Sequence, residues 1–92
     1  MDYEEYIRQG LEGEAPLKLI LCGELQNTEP GKTGVVSVVY ATEDKGLAER
    51  KIRELTAASP NYYYMVYSVP LDTDLTKLPH YPSIAITESD LR

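Results

Sequence analysis

The sequence predicts a two-layer α+β domain, and three stretches carry that prediction. Residues 62–69 run Tyr-Tyr-Tyr-Met-Val-Tyr-Ser-Val between Pro60-Asn61 and Pro70, an aromatic and β-branched composition that suits a strand. Residues 17–25 and 35–41 alternate side chains with a period of two, as a sheet requires. Residues 42–58 place Ala48, Ile52 and Leu55 at i, i+4 and i+7, which gives a helix one apolar stripe to lay on that sheet. Such a stripe and such strands hide their apolar sides by stacking in layers.

Ninety-two residues suffice for one domain, 1–92, with one core. Residues 1–14 read as an acidic N-terminal helix and linker. Asp2 is placed to cap a helix over 3–9, with Glu5 at the third position as in a capping box. Tyr3, Tyr6 and Ile7 share one side of it, and Gly10 and Gly13 read as stops. Asp2, Glu4, Glu5, Glu12 and Glu14 stand against Arg8 alone, the pattern of a solvated terminal helix pinned by its Tyr and Ile side chains.

In the strand over 17–25, Leu17, Leu19 and Leu21 point one way and Lys18, Ile20 and Cys22 the other, so the leucine side is expected to be the core. The strand over 35–41 sets Val36, Val38 and Tyr40 against Val35, Ser37 and Val39. The two form an antiparallel hairpin across a long polar loop, 26–34. Within that loop Gly31-Lys32-Thr33 resembles part of a phosphate-binding loop. The required upstream glycine position holds Gln26, however, and a β-branched run follows where a helix is needed.

Thr42 is placed to cap the second helix, with Glu43 and Asp44 near its positive end and Glu49 paired with Lys45 and Arg53 on its wet side. Ser59-Pro60 ends it. In the tyrosine-rich strand, Tyr63, Met65, Tyr67 and Val69 share one side and Tyr62, Tyr64, Val66 and Ser68 the other. A 70–82 connection follows, with one helical turn expected near 73–78. Residues 83–87 alternate as a short fourth strand with Ile84 and Ile86 inward, before a loose tail at 88–92. The order is αββαββ: two helices with a four-stranded, mainly antiparallel sheet. Moving the first strand of a ferredoxin-like βαββαβ domain to the end gives the same order, so the expected topology is a permuted ferredoxin-like arrangement.

A formal charge of −6 argues against nucleic acid, whose phosphates need clustered Lys and Arg. The single cysteine, Cys22, forms no internal disulfide, and no Cys/His spacing resembles a zinc site. With neither a signal-peptide pattern nor a membrane-spanning apolar run, the expectation is a cytoplasmic protein without membrane contact.

No motif fixes a chemistry. The functional expectation is a non-enzymatic interaction or regulatory module without a cofactor, a catalytic residue or a metal site. A tyrosine-bearing sheet face made of Tyr62, Tyr64, Val66, Ile20, Val35 and Val39 would mediate homodimerisation or bind a protein partner. The competing reading is a small-molecule or metal-binding domain, or an enzyme, with a site in the 70–82 connection. There Asp72 and Asp74 are carboxylates suited to a hard cation, His80 is a base titrating near neutrality, and Tyr81 adjoins it. Asp-x-Asp is common in turns for a structural reason, its carboxylates bonding nearby amides.

Overall fold

The computed structural model describes residues 3–28, 31–79 and 82–85. The elements are helix α1 (Tyr3–Glu12), strands β1 (Leu17–Thr28) and β2 (Gly31–Thr42), helix α2 (Lys45–Ala58), strand β3 (Tyr63–Val69) and a 3-10 turn at Leu75–Lys77. The three strands form one antiparallel sheet in the order β2-β1-β3.

The expected four-stranded sheet is therefore corrected to three strands among the described residues, and the permuted ferredoxin-like arrangement falls with it. Residues 83–85 do not pair as a strand, while Ile86, Thr87 and the tail 88–92 lie outside the described residues. Two contacts account for the difference. The Ser83 carbonyl accepts a hydrogen bond from the Tyr67 hydroxyl at 2.7 Å rather than from a main-chain amide. Ile84 lies over Gly23, where a Cβ would come within 3.2 Å of the isoleucine side chain, so this segment packs on the sheet instead of extending it.

Both helices lie on one side of the sheet. The core joins Ile7 and Leu11 of α1, Ala48 and Ile52 of α2, and Ile20, Cys22, Tyr64 and Val66 of the sheet, with Tyr40 and Leu55 at its margin. The leucine side of β1 is thus not the helix-covered side, the reverse of the expectation from alternation alone. Lys18 is the reason the two sides are hard to tell apart. Its charge suggests water, yet the residue is only 6 % exposed. Its ammonium donates to the carbonyls of Gly13 (2.8 Å) and Ala15 (3.0 Å) and to the Ser68 hydroxyl (2.7 Å). Ser68 in turn donates to the Gly10 carbonyl. A lysine with all three protons bonded can be buried, and here it meets the negative end of the α1 dipole.

Gly10 is a contact point rather than a stop, since α1 continues past it to Glu12, whereas Gly13 follows the last helical residue as expected and is a contact point as well. A Cβ on Gly10 would sit inside the carbonyl of Val66, and one on Gly13 would come 2.7 Å from the Ser68 Cβ. The helix backbone therefore rests directly on β3, which only glycine permits.

β1 and β2 pair from Lys18↔Thr42 to Thr28↔Gly31, so the expected long loop is mostly strand and Gly31-Lys32-Thr33 is extended chain. A bulge lies between Ile20↔Tyr40 and Leu21↔Val38, leaving Val39 unpaired. That extra residue moves Tyr40 to the helix side, where its ring lies 5.7 Å from the Lys51 ammonium, and separates it from Val36 and Val38. Asp44, not Thr42, is the N-cap of α2. Its carboxylate accepts from the Leu47 amide at 3.0 Å, while the Thr42 hydroxyl accepts from the Asp44 amide. Arg53 bridges the helices through an exposed pair with Glu4 (3.7 Å) and also pairs within α2 with Glu49 (3.6 Å), contacts worth little in water.

Candidate interaction surface

Pairing register decides which side chains reach water on the open side of the sheet. Val36, Gly23 and Tyr63 form one row across the three strands, and Val38, Leu21 and Met65 the next. With α1 and α2 on the other side, the described segment at Ser83 and Ile84 overlies part of this one, reaching Gly23 and Tyr67. Leu21 and Val69 are buried, but Val38 is 60 % exposed, Tyr63 49 %, Val36 45 % and Leu25 44 %. Four large apolar side chains on one flank of a 92-residue chain form a patch that water does not favour. Val39, on the bulge, adds a fifth on the adjoining outer edge of β2, which no strand among the described residues covers.

The residues expected to form an interaction face are not gathered on one surface. Ile20, Tyr64 and Val66 are buried under the helices, Val35 is half-buried, and Tyr62 and Val39 are exposed at separate places. Val36, Val38, Leu25 and Tyr63 take their place. Alternation alone assigns Val36 and Val38 to a common side but cannot say which side the helices choose.

In the 70–79 connection, Asp74 caps the 3-10 turn. Its carboxylate accepts from the Thr76 amide (3.0 Å) and hydroxyl (2.6 Å), and these bonds hold its pKa below the ordinary carboxylate value. Asp72 has a left-handed backbone, φ 51°. Among the described residues no three His, Cys, Asp or Glu side chains are grouped to hold a metal ion. His80 and Tyr81 lie outside the described residues.

Cys22 and Tyr64 are buried opposite one another on β1 and β3. Burial pushes the Cys22 thiol up, against a hydrogen bond with Tyr64, and burial likewise raises the Tyr64 phenol, against a hydrogen bond with Ser59. Lys18 moves the other way: burial, then the charge of Lys45, lowers it. The signs separate on titration. Cys22 and Tyr64 hold their protons more tightly in the folded chain, so their contribution to stability is complete below the unfolded pKa values. It is lost as pH rises from about 8.5 for the thiol and about 10 for the phenol. Lys18 adds stability as pH rises toward its unfolded value. Denaturant titrations at pH 8 and 9.5 check the thiol part: stability should fall more in the parent than in Cys22→Ala. Equal falls would mean that the thiol is not held protonated by the fold.

Tyr62 is tied to the same end of the sheet by a hydrogen bond from its hydroxyl to Glu24, and this bond raises the phenol pKa. Among the described residues no helix is long and apolar enough to cross a membrane. Comparison with protein-family models, with curated proteins and with solved structures finds no match to this chain.

Proposed function

We propose that this protein is a small cytoplasmic interaction module that acts without catalysis or cofactor and self-associates as a homodimer. Its contact surface is the open sheet side together with the outer edge of β2. The reading is supported chiefly by the exposure of Val36, Val38, Leu25 and Tyr63 on the side of the sheet away from α1 and α2. Charge supports the same occupant. The chain holds fifteen acids, yet residues 31–42 contain none, and Lys32 is their one charged side chain. Two copies can therefore bring β2 together without opposing carboxylates, even though each carries a formal charge of −6. A two-fold contact uses the same patch on both copies, so each substitution counts twice.

Sedimentation velocity at micromolar concentration tests this. The parent should sediment as a dimer. Val38→Lys, at an exposed position, should keep the thermal midpoint within a few degrees while raising the dimer Kd about a hundredfold, or about 3 kcal/mol. A parent chain that remains monomeric to about 100 μM overturns the proposal.

A further inference from the structure

β1 is longer than its partner on one side. It pairs with β2 as far as Thr28↔Gly31, but with β3 only as far as Gly23↔Tyr63. Before β3 the chain turns away, the Tyr62 amide donating to the Ser59 carbonyl at 3.1 Å. Residues 24–28 of β1 therefore have no strand on the β3 side among the described residues, and beyond Gly23 the sheet narrows to a two-stranded arm. A cleft of about 520 Å³ opens at this step in the sheet, a size within the ordinary range for binding sites. Leu25, Tyr63 and Ile84 supply its apolar wall, while Glu24, Asn61 and Tyr62 supply its polar groups; no Lys or Arg lines it.

We propose that this step is a strand-addition site for an extended segment of another protein, one in which an apolar residue is followed by Lys or Arg. A strand laid in line with β3 and antiparallel to β1 takes up main-chain bonds that no described strand makes with residues 24–28 on that side. Its residue opposite Leu25 shares the Leu25 side of the sheet and enters the apolar wall beside Tyr63 and Ile84. The following residue, opposite Glu24, shares the side of Glu24 and Tyr62 and brings a cation to the carboxylate. The formal charge of −6 favours the approach of a basic segment and disfavours an acidic one. The edge that takes the strand lies on the opposite flank of β1 from β2, but its apolar wall shares Leu25 and Tyr63 with the proposed self-association surface, so a bound segment and a second copy compete for those two residues.

The experiment is an amide NMR titration of the full chain with three synthetic hexapeptides: alternating valine and lysine, alternating valine and glutamate, and the valine–lysine peptide N-methylated on alternate amides. The valine–lysine peptide should give saturable shifts centred on residues 24–28, Tyr62 and Tyr63. The glutamate peptide should bind at least about tenfold more weakly, and the N-methylated one should not saturate. Glu24→Gln should weaken the lysine peptide about threefold to tenfold and leave the glutamate peptide no weaker. Absence of saturable shifts to about 1 mM, shifts centred on the outer edge of β2, or equal binding of the N-methylated peptide each overturns the proposal.

Discussion

Gly10→Ala should lower stability by about 3 kcal/mol, near the upper end of what overpacking usually costs. In a domain of this size that corresponds to a drop in Tm of about 15 °C. The added methyl would lie inside the Val66 carbonyl and 2.8 Å from its carbon. Val66 is central to β3 and pairs with Ile20, so the strand cannot give way without disturbing the core. The helix must lift instead, exposing Ile7 and Leu11 and pulling the Gly10 carbonyl off Ser68. Alanine is a better helix former than glycine by about 1 kcal/mol. If α1 were only loosely attached, the substitution would therefore stabilise the chain. The sign of the Tm shift decides whether α1 is seated on β3, and amide exchange should show residues 3–12 losing protection first.

Lys18→Met should cost about 3 kcal/mol. Methionine keeps the length and the apolar stem but offers no proton to the Gly13 and Ala15 carbonyls or to Ser68. Three acceptors then compete for water at a place where the residue is nearly sealed. Removing a buried cation also ends a desolvation cost, so the loss is smaller than the sum of three charged hydrogen bonds. Chemical denaturation measures it, and an unchanged midpoint would mean that the ammonium contributes nothing net. The two substitutions should be non-additive, because both release the same end of α1 from β3.

Lys18 also shows how much of this architecture could be read from residue order. The strand-like runs, the apolar stripe of α2 and the two-residue period of β1 were legible because they depend on local side-chain spacing. The choice of which sheet side receives the helices was not, because the burial of Lys18 on that side depends on a bond from its ammonium to Ser68, fifty residues away, together with the carbonyls of Gly13 and Ala15. Gly10 held the missing information, since a glycine inside an amphipathic helix can mark a backbone lying on another backbone, here that of Val66. The bulge at Val39 hid the open side in a different way. It breaks alternation in β2, so that Tyr40 joins the core while Val36 and Val38 face outward. The interaction residues inferred from alternation, Ile20, Tyr64 and Val66, are core residues because the helices pack on the Lys18 side of the sheet. The cleft at the end of β3 could not be foreseen, since it exists only because two strands outrun a third.

The extra residue in β2 has one further consequence. Deleting Val39 would leave Val38 opposite Leu21 and Tyr40 opposite Ile20, so no side chain would need to change sides. What would disappear is the local twist that keeps the outer rim of the sheet from being a straight rail. A chain shortened by that single residue would offer an eleven-residue outer strand without the kink, the shape on which copies add without a natural end. The warp at Val39 thus makes the outer rim of the sheet a poorer template for open-ended strand addition than a straight edge would be.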